Sequence, residues 1–439
     1  MKIAWFKENI SPEIGAYLAG YGLDFKSEAK LDDLYAAGLC LDDGKTKVLM
    51  ISFDLLGLDE WYIKDLRLKC AEILGVPESA VMFSCTHTHT GPESRTLAAA
   101  PAQLDKEYLA KLEQIVLQAV RNIGPFRECV ASFYSGVCDE NRNRRYSSGD
   151  NHASFTPHRR EFVELRKGFA DKELGVVWFT DTETKQPIYV IGNYAAHPLA
   201  GHSPGIGGRR ISADFPGAFR DYVTSNTGAE TMFVSGAAGD LVPIEDELGD
   251  EAARGMGIRL GKEAIGGMVE SARNPARYAL KEAQLGHSVS TFTVPLRKTY
   301  CNIPKKLPAP YLGKEEVTLE LQAISIGDVA FVGVPGELCA ELGQEIKWHS
   351  PFRRTFIAYC ATAYFSYMGP ANFLVAGGYE GNSQRFGARG GLKLVNTAVD
   401  MLFDLHEQIF PSDAENPYPD NVVTPLVTIL PNSFPKTQN

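Results

Sequence analysis

The run Ser84-Cys85-Thr86-His87-Thr88-His89-Thr90-Gly91-Pro92-Glu93 constrains this chain more than any other stretch, because two of its nine histidines stand two positions apart behind an apolar run. Ala80-Val81-Met82-Phe83 reads as a short strand and Gly91-Pro92 as a turn, so the histidine pair closes a strand. Strand alternation predicts Cys85, His87 and His89 on one face, with Thr86 and Thr88 on the other. Two imidazoles on one face can share a metal ion, or one can ligate while the other moves a proton. The plainer alternative is a pair of partly buried polar side chains satisfied by neighbours. Cys85 reads as a buried, inert thiol rather than a ligand.

The remaining composition narrows the partners. With 439 residues, 44% of them hydrophobic, the chain can build a large core, and its net charge of -10 argues against nucleic acid as the main partner. No apolar run is long enough for stable membrane insertion, and Met1 to Glu8 lacks the roughly 7 to 15 apolar residues of a signal peptide, so a cytoplasmic protein is expected. The eight cysteines are scattered without a Cys-x-x-Cys, the usage of reduced thiols, and any metal must be gathered from distant segments.

Taken in order, the chain alternates strands and helices. Leu39–Leu41 and Val48–Phe53 form a hairpin across Asp42-Asp43-Gly44, and residues 59–74 and 105–123 carry helical spacing. Strands follow near 129–135, 175–179, 188–194 and 231–234, then a glycine-punctuated helix near 247–273. A hairpin over 318–326 and 329–334, a strand over 355–359 and a helix over 391–409 complete the pattern. Val294–Lys314 reads as a long excursion or lid. The expected architecture is α/β, with mixed β-sheets flanked by helices in a single catalytic domain over residues 1–410. A proline-rich tail spans 411–439.

Five stretches remain to be weighed. The polar run Asp139–Tyr146, continuing to His152, His158, Arg159 and Arg160, is either a solvated loop or a source of arginine for an anion or oxyanion. Gly201–Arg210 is glycine-rich but lacks the spacing and Lys-Ser/Thr of a phosphate loop. Ser235 lacks the preceding glycine of a nucleophile elbow and reads as a turn serine. His197 ends a second strand, and Glu337 sits after Pro335-Gly336 where a strand gives way to a helix, a frequent ligand position in α/β folds.

Thr86-His87-Thr88-His89-Thr90-Gly91-Pro92, the His197 strand end with Ile211-Ser212-Ala213-Asp214-Phe215-Pro216-Gly217, Gly239-Asp240, Pro335-Gly336-Glu337 and Tyr379-Glu380-Gly381 together resemble the neutral/alkaline ceramidase family, over about residues 8 to 400. The resemblance implies a zinc ion (Zn2+) held by His87, His197, Glu337 and Tyr367, with His89, Arg144 and Tyr379 around the scissile carbonyl. Tyr367 follows from the family's twelve-residue spacing between its active-site tyrosines, which Tyr367 and Tyr379 reproduce. The chain departs from the family at Val242, where a serine is usual, and it reads as a short bacterial-type member without the immunoglobulin-like domain.

The function expected is that of a zinc-dependent hydrolase using metal-activated water to cleave an amide (N-acyl) bond. Val242 and the basic run point to a small, polar substrate, anionic or carbohydrate-derived, in place of a lipid. The alternatives are metal-dependent cleavage of a glycoside or other sugar-derived substrate, and a non-catalytic, metal-stabilised binding module. Metallo-β-lactamase chemistry is disfavoured because Thr90-Gly91 follows the pair where that pattern has Asp-His. The oligomeric state is not legible.

Overall fold

The computed structural model describes all residues except 21–23, 98–99, 149–151, 156–165, 202–208, 246–247, 281–283, 299–310 and 412–439. Eight strands form the larger sheet: β1 (Lys2–Asn9), β2 (Tyr35–Asp42), β3 (Lys47–Phe53), β4 (Val81–Cys85), β5 (Arg127–Val137), β6 (Glu173–Asp181), β7 (Pro187–Tyr194) and β8 (Glu230–Ser235). Their order is β8-β7-β6-β5-β1-β2-β3-β4. The sheet is hinged in the middle, where β1 and β5 pair only at Lys2–Glu128 and Ile3–Arg127. Its far strand curls back, so that Ser52 Oγ donates to Phe233 O at 2.6 Å and Ser235 Oγ to Thr86 O at 2.7 Å. That bond gives Ser235 the structural role expected of it.

A second sheet, β9 (Leu285–Pro295), β10 (Glu316–Ile326), β11 (Val329–Gly333) and β12 (Arg354–Ala358), lies in that order against the first. The excursion expected at Val294–Lys314 connects β9 to β10, which pair along their whole length; its residues 299–310 lie outside the described residues.

The strands read as continuous apolar runs because both faces of each sheet are covered. In β6, Val177 and Phe179 point between the sheets with Met50, Phe133, Phe331 and Phe356. Val176 and Trp178 point the other way, onto helices α3 (Asp214–Thr227) and α4 (Asp250–Arg273). Helices α1 (Glu60–Leu74) and α2 (Lys106–Arg121) cover Phe53 and Phe83, and α5 (Ala340–His349) and α6 (Gly390–Ile409) cover Leu319, Leu321 and Val332 of the second sheet. The result is four layers, α/β/β/α, which matches the mixed α/β architecture expected from the sequence. Among the described residues no helix is long and apolar enough to cross a membrane.

Strands β3 and β4, β7 and β8, and β11 and β12 are the parallel pairs within the two sheets. Ligand sites in α/β folds lie beyond the carboxyl ends of such strands. His87 lies just past β4, His197 just past β7, Glu337 just past β11, and Tyr359 immediately past β12.

Candidate metal centre

The strand carrying the first histidine ends at Cys85, so alternation does not extend to His87, whose φ of 71° lies in the left-handed region. Such a backbone is costly for a residue with a Cβ and persists where the surroundings dictate it. Here His87 N donates to Leu55 O at 2.9 Å and Nδ1 to Leu56 O at 2.7 Å, both on the loop that leaves β3. Cys85 instead packs in the helix-side core, and burial pushes its thiol up, the inert role expected for it.

The rings nevertheless converge. His87 and His89 have centroids 5.1 Å apart, His87 and His197 4.9 Å, and His89 and His197 5.7 Å. Gly20, at φ 95°, makes room for His89: a Cβ there would stand 2.3 Å from Nδ1. His197 Nδ1 lies 2.7 Å from Ala238 O and 3.0 Å from Leu241 O, carbonyls of the turn beyond β8.

Glu337 reaches the same point. The short strand Glu337–Leu338 pairs in parallel with Tyr367–Met368, which sets Glu337 beside Tyr367. Gly336 permits that approach, because a Cβ there would lie 2.7 Å from Ser366 O. Glu337 Oε2 stands 3.4 Å from His87 Nε2 and 3.2 Å from His197 Nε2. Tyr359 and Tyr364, which sequence reasoning missed, direct their hydroxyls to Oε2 at 3.4 Å and to Oε1 respectively. The sole local signal for Tyr364 is its place in the aromatic run that contains Tyr367.

Within the described part of the polar run, two arginines are buried. Arg144 and Arg145 are both buried, flanking Glu380: Arg144 Nε donates to Oε1 at 2.6 Å and Arg145 Nη1 to Oε2 at 2.8 Å. Arg144 Nη2 also donates to Tyr367 Oη and to Gly239 O, each at 3.1 Å. Its guanidinium lies 5.5 Å from the Tyr379 ring, which packs edge-on to Tyr367. Tyr379 is 50% exposed and Tyr367 buried, so of the two it is Tyr379 that meets solvent. Glu380 was visible in the sequence only as the neighbour of Tyr379. His158, Arg159, Arg160, Gly207 and Gly208 lie outside the described residues, as does the proline-rich tail beyond Pro411. Val242 is buried in a short strand paired with Asn141–Asn143 and brings no hydroxyl.

Charge follows burial here. Burial, then the neighbouring His87 and His197, holds the His89 imidazole well below its ordinary range. Burial and Arg144 push His197 down to about 4. Burial opposes ionisation of Glu337, yet the two imidazoles keep it well below the usual carboxylate range. Burial and the Glu337 charge raise Tyr367 well above its ordinary range and raise Tyr379 as well. At neutral pH the site therefore holds neutral His89 and His197, one carboxylate and protonated phenols.

The histidine tautomers show whether a metal suits this donor set. Nδ1 of His87 and of His197 face backbone carbonyls and must carry their protons, a common way of orienting metal-binding imidazoles. With the rings otherwise neutral, both Nε2 lone pairs face a carboxylate oxygen. Three acceptors turned on one another need a cation between them. Tetrahedral ligands at ~2.0–2.1 Å from one zinc stand about 3.3 Å apart, which is the spacing of these Nε2–Oε2 pairs. The ring nitrogens of His87, His89 and His197 form a wider cluster, with atoms within 4.8 Å of one another.

No protein-family model matches the chain, and no curated protein matches it by sequence. Solved structures do. The neutral ceramidase from Pseudomonas aeruginosa superposes with a TM-score of 0.75 at 18% identity, covering 93% of this chain and 75% of that one. A ceramidase complexed with C2 gives a TM-score of 0.75 at 17% identity and the same coverage. This chain therefore has the fold of the bacterial neutral ceramidase.

Proposed function

We propose that this protein is a zinc-dependent hydrolase that cleaves an amide (N-acyl) bond of a small substrate. The observation that carries the proposal is the convergence of His87 Nε2, His197 Nε2 and Glu337 Oε2 as mutually facing acceptors at zinc-ligand spacing. Tyr367 is the proposed fourth ligand, supported by its registration beside Glu337 and by the Arg144 guanidinium at its hydroxyl. The three-histidine cluster favours a second reading, in which His89 ligates. The tighter Nε2–Oε2 spacing supports Glu337 instead.

A zinc ion at this position polarises a carbonyl and makes water acidic near pH ~7. The chain's own residues supply the rest. His89, neutral and enclosed, accepts a proton as the bond is attacked and returns it to the departing nitrogen. In this reading Arg144 and Tyr379, whose guanidinium and ring lie 5.5 Å apart, donate to the carbonyl oxygen as it gains charge. With Val242 in place of a hydroxyl, attack falls to water rather than to a side chain. The buried Arg144 guanidinium at the Tyr367 hydroxyl supports a polar substrate, anionic or hydroxyl-rich. The unit assigned to this chemistry is residues 1–410.

Elemental analysis and kinetics test the proposal together. One zinc per chain is expected in the wild type and loss of zinc in His87→Ala and His197→Ala; equal zinc in all three would refute the ligand set. Hydrolysis of long-chain ceramide in detergent, with none of polar N-acyl amides, would refute the polar substrate.

A further inference from the structure

We propose that Tyr364 is a positioning residue for Glu337: its hydroxyl holds Oε1 away from the histidines, so that the carboxylate meets the metal through Oε2 alone. This deepens the zinc reading above and rests on it. The two oxygens of Glu337 have different surroundings. Oε2 faces both Nε2 atoms, with only a long 3.4 Å contact from Tyr359 Oη, whereas Oε1 accepts a hydrogen bond from Tyr364 Oη at 2.5 Å. A carboxylate with nothing on its second oxygen can rotate that oxygen toward a cation and occupy two positions around it. A short, charge-assisted phenol bond opposes the rotation.

Tyr364 is itself fixed. Its ring lies nearly parallel to His87, 19° between planes and 6.2 Å between centroids, and the Arg95 guanidinium sits over it at 4.5 Å. Arg95 is clamped in turn by Glu93, through Nε at 2.8 Å and Nη2 at 2.7 Å. Gly57 leaves room for the ring, since a Cβ there would stand 2.6 Å from Cδ2. A buried arginine–glutamate pair adds little to stability compared with apolar packing. Its position gives it another use: the loop that carries His87 also carries, through Glu93 and Arg95, the clamp on the tyrosine that orients Glu337.

The test is a chelator-competition zinc titration of the full chain, with visible spectra of the cobalt(II)-loaded protein as an independent readout. Tyr364→Phe should raise the zinc Kd roughly 10–100-fold, the usual effect of losing an outer partner of a ligand. It should also weaken the cobalt bands as Glu337 takes a second coordination position. Tyr359→Phe should change the Kd by less than about threefold, because the bond it removes is long. An unchanged Kd and spectrum in Tyr364→Phe overturn the positioning role while leaving the zinc site standing; a wild type that binds no zinc removes both. If Tyr364→Phe does not fold, Arg95→Met, which keeps the phenol but releases its ring, should still raise the Kd, and an unchanged value there overturns the proposal.

Discussion

Glu380 is 1% exposed and is the one carboxylate shared by Arg144 and Arg145. Glu380→Gln keeps its shape and one acceptor oxygen but removes the charge, leaving two buried guanidiniums on a neutral amide. Each charge-assisted hydrogen bond contributes about 1.5–3 kcal/mol, and stranding a buried charge costs about 3–5 kcal/mol. Because the amide retains one acceptor, the lower end applies, a loss of about 3 kcal/mol in urea unfolding at pH 7. Arg145→Met restores the charge balance of the wild type in the double variant. It should therefore recover part of the loss, with a coupling of about 1–3 kcal/mol. The pH dependence has a definite sign. Burial raises the Glu380 carboxyl, but Arg144 and Arg145 outweigh it and depress it below its ordinary value, so its contribution is present at neutral pH and lost as pH falls below the usual carboxylate range. Glu380→Gln should flatten that acid limb. Turnover should drop about 100-fold as Arg144 loses its aim at Tyr367. A stability change under about 1 kcal/mol, with no coupling to Arg145→Met, would refute the reasoning.

His89→Ala should retain zinc and fold while losing turnover by about 10² to 10⁴, and loss of zinc would make His89 a ligand instead. In the metal-free protein the unfolded chain binds a proton on His197 near pH ~6.5, while the folded site resists it down to about 4. Stability should consequently fall as pH drops through that window, by on the order of 3 kcal/mol, and urea titrations that stay flat from pH 6.5 to 4 would contradict the buried, neutral imidazole.

Much of the layered architecture was determined by local sequence. Continuous apolar runs placed the strands around Val177, Val190 and Phe331, because both faces of each strand are buried, and helical spacing placed α2 and α6, because that period follows from backbone geometry alone. The ends of those runs also marked His87, His197 and Glu337, since a polar side chain directly after a buried strand has few places to go. Assignment of Arg144, Tyr367 and Tyr379 came from family resemblance, and the spacing itself contained no physical reason for it. Only the tertiary structure decided the rest. The left-handed turn at His87 exists because the β3 loop supplies its carbonyls, something strand alternation within 81–89 could not anticipate. Tyr364, Tyr359 and Glu380 acquired their roles through partners such as Arg144, 236 residues away from Glu380 in sequence. Such a pairing follows from how two sheets and their loops are folded against each other, and no short-range pattern carries that information.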